Sequence, residues 1–156
     1  MGKETERKFL VRGDFMPHAA SSSHIVQGYI ARSESLTLRV RTRDERGYIT
    51  IKGATDASGM TRAEWEYEIP VADARELLAY SRGVIDKVRY LVPVGRHMFE
   101  VDRFAGDNEG LVVAEVELAS ADEEFERPDW LGEEVTGDRR YYNSQLLKHP
   151  YSEWRR

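Results

Sequence analysis

The sequence predicts an α+β domain that is mainly β, folded as a barrel or a strongly curved sheet. Apolar and ionised residues alternate at period two along most of the chain, which is the signature of half-buried strands. About eight such segments occur, separated by turn residues, with few stretches of helical spacing between them. A doubly wound fold would need a helix after most strands, so it is disfavoured. At 156 residues the chain suits one domain, residues 1–156, long enough to bury a sizeable core.

The first strand spans residues 4–11 and places Glu4, Glu6 and Lys8 on one face, Thr5, Arg7 and Phe9 on the other. Residues 13–23 hold Pro17 and a serine run and read as a loop. Strands follow at 24–31, 36–43, 48–52 and 61–69. Pro70 then introduces a helix over 71–82, with Asp73 in its first turn and Gly83 to end it. Residues 84–92 and 97–104 read as strands joined by a hairpin-type connection at Pro93-Val94-Gly95. Residues 106–110 are a turn and 111–119 a strong strand. Ser120-Ala121-Asp122-Glu123 suits the start of a short helix, and a last helix is expected over about 138–147.

Each strand has one apolar and one ionised face. Arg39, Arg41 and Arg43 oppose Leu38 and Val40; Glu64 and Glu66 oppose Trp65 and Tyr67; Lys87 and Arg89 oppose Val88 and Tyr90. Glu100 and Asp102 oppose Phe99 and Val101, and Glu115 and Glu117 oppose Val116 and Leu118. An amphipathic strand with a wet polar face is commonplace. The sorting of sign by strand is not, because solubility alone does not require it. If the sheet closes with its ionised faces inward, they line a polar lumen. Basic side chains there would repel each other without a polyanion, and grouped carboxylates would repel each other without a hard cation. A metal-bound polyphosphate satisfies both, and arginine supplies fork-shaped contacts to phosphate oxygens.

Composition narrows the partners. The formal net charge of -5 disfavours a nucleic-acid binder relying on bulk positive potential. With no cysteine, disulfides and thiolate metal sites are excluded. No secretory signal and no run as long as a membrane span is visible, so the expectation is a cytoplasmic protein with neither membrane nor nucleic-acid partner. His18, His24, His97 and His149 lack ligand spacing, and there is no Walker-type loop. Trp65, Trp130 and Trp154 read as packing residues.

The run Glu4-Thr5-Glu6-Arg7-Lys8 resembles the Glu-x-Glu-x-Lys signature of the CYTH superfamily, the triphosphate tunnel metalloenzymes. It is followed in order by Leu38-Arg39-Val40-Arg41, Thr50-Ile51-Lys52, Arg62 with Glu64 and Glu66, Lys87-Val88-Arg89-Tyr90, Glu100-Val101-Asp102 and Glu115-Val116-Glu117. Residues 134–143, including Arg139-Arg140-Tyr141, resemble the family's closing helix motif, with arginine at 139 where small bacterial tripolyphosphatases commonly carry lysine. The resemblance implies an antiparallel eight-stranded closed tunnel barrel with a few flanking helices. It implies hydrolysis of a linear triphosphate, inorganic tripolyphosphate first, with Mg²⁺ or Mn²⁺. The alternatives it leaves open are class IV adenylate cyclase, thiamine triphosphatase and a non-catalytic polyphosphate-binding module; a homodimer is compatible with it. By that resemblance Glu4, Glu6, Asp102, Glu115 and Glu117 would ligate metal. Arg39, Arg41, Lys52, Lys87, Arg89 and Arg140 would hold phosphates, and Lys8 with Tyr29 would orient or deprotonate the attacking water.

Overall fold

The computed structural model describes residues 2–59 and 61–154, the first three of them as backbone. Nine strands form one sheet: β1 (Gly2–Val11), β2 (Ser21–Arg32), β3 (Leu36–Arg43), β4 (Arg46–Gly53), β5 (Thr61–Ile69), β6 (Ile85–Val94), β7 (His97–Phe104), β8 (Val112–Leu118) and β9 (Leu131–Glu134). Their order is β5-β4-β3-β2-β6-β7-β8-β1-β9, and β5 also pairs with β1. That last pairing, through Glu4↔Arg62 and Thr5↔Thr61, closes β1 to β8 into an antiparallel barrel. The expected eight-stranded closed barrel is therefore formed, with β9 as one extra strand alongside the far half of β1.

Several boundaries differ from expectation for local reasons. The serine run is not loop: Ser21, Ser22 and Ser23 already pair with Leu91, Tyr90 and Arg89 of β6. The helix after Pro70, α1 (Val71–Leu78), stops four residues early. Its last turn tightens into i−3 bonds, and Ser81 Oγ donates to the Leu78 carbonyl, taking an acceptor that another helical turn would have used. α1 covers the outer face of β2, β3 and β4, where Gly47 lets it approach; a Cβ there would sit 2.7 Å from that of Ala74. The residues 120–123 form a turn, not a helix, because Glu123 is drawn to the Ala119 N–H at 2.6 Å and to His97 at 2.6 Å. Strand β9 was not foreseen; it runs so close to β1 that a Cβ on Gly132 would lie 2.9 Å from the Leu10 carbonyl oxygen.

The expected C-terminal helix is broken. A 3-10 turn at Arg139–Tyr141 is capped by Asp138, whose side chain accepts from the Arg140 N–H, and Tyr142 is then extended before α2 (Asn143–Lys148) begins. The break matters for the lumen, since Tyr142, Asn143 and Ser144 face it.

Two apolar clusters hold the barrel. One packs the outward faces of β1, β6, β7 and β8, through Phe9, Val92, Phe99, Val101, Ala114 and Val116, beneath Phe15 and Trp130 from flanking segments. The other closes one end of the interior. Leu10, Ile85, Phe104 and Val113 share the inward face of their strands by register, and Leu146 of α2 with Tyr141 and Val135 packs against them. The ionised section of the lumen therefore stands on an apolar floor.

Candidate active site

Alternation decides which side chains enter the barrel, and strand order decides what they meet. Going round the closed sheet, β4, β3, β2 and β6 are neighbours, and so are β7, β8, β1 and β5. The first group presents Lys52, Arg39, Arg41, Arg43 and Arg89 to a cavity of about 240 Å³; the second presents Glu100, Glu115, Glu117, Glu6, Glu64 and Glu66. Lys8 and Arg62 are cations set within the acidic half. Among the described residues, the sorting of charge by strand thus becomes two facing walls, five cations on one and six carboxylates with two cations on the other.

The basic wall is held in two ways. Arg89 is clamped by Asp102, with Nε donating to Oδ1 at 2.8 Å and Nη2 to Oδ2 at 2.9 Å, and Nη1 is 3.4 Å from Glu100. Burial opposes the Arg89 charge, but Asp102 overcomes it and raises the guanidinium pKa further. Arg39 and Arg41 have neutral anchors instead. Arg39 Nη2 donates to Thr50 Oγ1 at 3.1 Å, with Glu66 no nearer than 4.0 Å, and its Nε is buried without a partner. Arg41 donates to Gln27 Oε1 from Nε at 2.8 Å and from Nη2 at 2.6 Å. Burial, then repulsion from Arg39 and Arg89, pull the Arg41 pKa well down, so its charge is destabilised in the absence of an anion.

On the acidic wall, Glu6 and Glu117 are cross-strand partners, as are Lys8 and Glu115. Lys8 Nζ lies 3.3 Å from Glu115 Oε1, donates to the Tyr141 carbonyl at 3.4 Å and sits 5.3 Å from the Tyr142 ring centre. Burial lowers the Lys8 pKa, but Glu115 and Glu6 outweigh it and leave it raised. Burial works against ionisation of Glu115, and Lys8 and Arg89 reverse that and hold it below the usual carboxylate range.

The residues expected from sequence divide by depth. Glu6, Lys8, Tyr29, Arg39, Arg41, Lys52, Arg89, Glu115 and Glu117 all line the one cavity. Lys8 and Tyr29 come from strands on opposite walls, Tyr29 lying beside Arg39 on β3. As an ammonium Lys8 is a donor, so abstraction of a proton does not suit it. The side chain of Glu4 lies outside the described residues. Lys87 and Asp102 do not line the cavity: Lys87 is fully buried, 2.7 Å from Asp102 and 3.1 Å from Asn143 Oδ1, above the Phe104 ring. Burial lowers the Lys87 pKa to about 7, despite Asp102. Two cations on the Asp102 oxygens leave it an internal counter-ion, not a donor turned to the lumen. Arg140 also departs from expectation, pairing with Asp138 at 2.7 Å and stacking near Trp154 on the exterior. The neighbouring Arg139 instead lines a groove of about 660 Å³ that shares Thr37, Arg62 and Tyr142 with the cavity.

Among the described residues no three carboxylates or histidines already converge as a metal cage. The donor chemistry nevertheless fits a hard divalent cation. Glu6, Glu115 and Glu117 are adjacent oxygen donors, and Glu117 is exposed to water that an ion could bring or displace. Residues at the site to which the sequence reading gave no role are Gln27, Thr50, Glu100, Tyr142 and Asn143. Inward parity pointed to the first three; Tyr142 and Asn143 stand in the 134–143 motif, and the break in the C-terminal helix is what turns them to the lumen.

A CYTH domain family description matches residues 2–145. The chain is 46% identical over 157 aligned positions to an inorganic triphosphatase of Acetivibrio thermocellus, covering 99% of each chain. It is 37% identical over 149 positions to an inorganic triphosphatase of Nitrosomonas europaea, covering 92% of this chain and 95% of that one. A solved inorganic triphosphatase structure at 34% identity superposes with a TM-score of 0.67, over 94% of this chain and 95% of the other. An adenylyl cyclase-like protein of Hippeastrum with a dominant triphosphatase activity shares the fold, at 17% identity and a TM-score of 0.60 over 75% of this chain and 80% of that one.

Proposed function

The chain belongs to the CYTH family, and we propose from that premise and the cavity that it hydrolyses a linear triphosphate, inorganic tripolyphosphate first. The observation that carries this is the division of one small lumen into a basic and an acidic wall. A module that only bound polyphosphate would gain from the basic wall and lose from the acidic one, so the carboxylates argue for catalysis with a cation. Among the described residues the lining holds seven cations and six carboxylates, so a triphosphate added alone would leave the lumen strongly negative, which supports the same view. Glu6, Glu115 and Glu117 would hold the ion, Mg²⁺ or Mn²⁺, with Glu4 a fourth candidate. When bound, it supplies neutralisation of phosphate charge and a more acidic water.

The chain's own residues do the rest. Arg39, Arg41, Lys52 and Arg89 grip the phosphate oxygens and stabilise the charge that spreads over them as the terminal P–O bond loosens. Water oxygen bonds to the terminal phosphorus as its bond to the bridging oxygen breaks; that oxygen leaves with the diphosphate, orthophosphate is released, and the proton lost by the water passes to a phosphate oxygen. Tyr29 orients that water from the basic wall. Lys8, kept cationic by Glu115 and Glu6, donates to phosphate or water from the opposite side. The cavity of about 240 Å³ is below the roughly 300–1,000 Å³ of pockets that enclose organic ligands, which favours an inorganic substrate. A second reading is an organic triphosphate, favoured by the groove of about 660 Å³ that adjoins the cavity and could take the organic part. The compartment we propose is the cytoplasm, where Mg²⁺ is abundant.

One assay tests the reading: tripolyphosphate, ATP and thiamine triphosphate incubated with Mg²⁺ or with excess EDTA, measuring phosphate and cyclic AMP together. Metal-dependent phosphate release, fastest from tripolyphosphate, is expected. Cyclic AMP as the main product from ATP would overturn it in favour of a cyclase, and undiminished turnover in EDTA would remove the metal.

A further inference from the structure

We infer that Gln27 is a positioning residue for Arg41, and that its neutrality is what leaves the Arg41 charge for the substrate; this rests on the triphosphatase reading above. Gln27 is fully buried on β2, directly across from Arg41 on β3. Its Oε1 accepts from both Nε at 2.8 Å and Nη2 at 2.6 Å, so one edge of the guanidinium is fixed and the Nη1 end is left for the cavity. The same amide carries a cost, because its Nε2 is buried with no partner.

A glutamate of nearly the same shape would remove that cost. It would form a charge-assisted fork, shorter and stronger than an amide can make, and would have no orphaned donor. The chain already uses such a fork between β6 and β7, where Asp102 clamps Arg89. Stability alone therefore does not account for an amide at 27. What an amide does, and a carboxylate cannot, is orient Arg41 without neutralising it. Arg39 beside it is oriented by the Thr50 hydroxyl, which itself donates to Glu66, 4.0 Å from Arg39. Arg39 and Arg89 repel the Arg41 charge, Asp102 offsets part of that, and an entering polyanion would relieve the rest.

The test is Gln27→Glu and Gln27→Met, compared with wild type for tripolyphosphate kinetics and for the rise in melting temperature that tripolyphosphate gives in EDTA. Gln27→Glu should melt at or above wild type without ligand, yet raise KM by about tenfold or more, the scale of one charge-assisted contact. Its ligand-induced rise in melting temperature should shrink or vanish. Gln27→Met keeps the Arg41 charge but loses its anchor, so kcat/KM should fall by about tenfold with kcat sharing the loss. A purely structural glutamine predicts the reverse for Gln27→Glu: equal or better stability with wild-type KM, and that result overturns the inference. If Gln27→Glu does not fold, wild-type kcat/KM in Gln27→Met overturns it instead. Should wild type release no phosphate, the triphosphatase reading fails separately. The ligand-induced shift then still decides on Gln27, because an undiminished shift in Gln27→Glu refutes its role.

Discussion

Replacing Asp102 by asparagine separates two roles for a carboxylate that shares its strand face with Glu100. In the structure Asp102 is 4% exposed and takes Arg89 on both oxygens at 2.8 and 2.9 Å and Lys87 at 2.7 Å. Asparagine keeps the volume, so no cavity opens. It removes the charge that offsets two buried cations and turns an amide N–H₂ toward one of them. Breaking a buried ion pair by neutralising one partner costs about 3–5 kcal/mol. In a domain of this length each kcal/mol moves the melting temperature by roughly 2–4 °C, so a fall of roughly 6–20 °C is expected. The measurement is a thermal melt in EDTA, supported by the urea midpoint. A metal ligand would behave otherwise, because in EDTA its loss would leave the melt unchanged and only the Mg²⁺ requirement would move. Glu117→Gln on the exposed rim is the comparison: little change in the EDTA melt, with activity lost. If Asp102→Asn melts within about 2 °C of wild type in EDTA, the counter-ion argument is refuted.

The outward side of β1 makes a second prediction. Arg7 forks Glu134 at 2.9 and 2.6 Å and lies 5.1 Å from the Phe125 ring centre, so Arg7→Ala should keep wild-type turnover while losing about 1 kcal/mol of stability by urea unfolding. Its pH dependence has a definite sign. The hydrogen bond from Arg7 lowers the Glu134 pKa, so that stabilisation is present above the ordinary carboxylate value and fades as pH falls through the lowered one. The gap between wild type and Arg7→Ala should therefore narrow on acidification from about pH 5 to pH 3, and a gap that widens would contradict the pairing. Tyr29→Phe should slow tripolyphosphate hydrolysis by roughly 10²–10⁴-fold with little change in binding, as for loss of a general acid–base group; wild-type rates would make Tyr29 a packing residue only.

Much of this architecture was legible because period-two alternation is a local property. The spans 36–43, 61–69 and 97–104 expected from alternation match β3, β5 and β7 end to end. The face each charged residue takes was legible for the same reason. Height along the barrel was not. Glu100 and Asp102 are two residues apart on one face, yet Glu100 is 42% exposed at the rim and Asp102 is sealed against Lys87. Nothing in the local pattern distinguishes them, since depth depends on which partner strand stands opposite and where the apolar floor begins. Arg140 was likewise not placed by its local pattern, because a 3-10 turn replaced the expected helix and turned it to Asp138 on the exterior, while the exposed Arg139 borders the adjoining groove. Strand β9 was illegible for want of alternation; Leu-Gly-Glu-Glu pairs with β1 because Gly132 permits close approach, not because it is amphipathic.

Height also explains why the charged residues are held so differently. Near the floor of Leu10, Ile85, Phe104 and Val113, low polarity strengthens every ionic contact and makes an unpaired charge costly. There the chain uses a closed pair, Lys87 on Asp102, while Arg89, held by the same carboxylate, still lines the cavity. Arg39 and Arg41 are buried too, Arg41 forked by the Gln27 amide and Arg39 held by the Thr50 hydroxyl with Glu66 4.0 Å away. At the rim Glu66 and Glu100 are 43% and 42% exposed, and water there can be exchanged for an arriving hydrated ion at small cost. A ligand entering from the rim would therefore meet the exposed carboxylates first, then the buried cations, and finally the apolar floor. Substitution of the Lys87–Asp102 pair is therefore expected to destabilise the protein, and substitution of Arg39 or Arg41 to change binding instead.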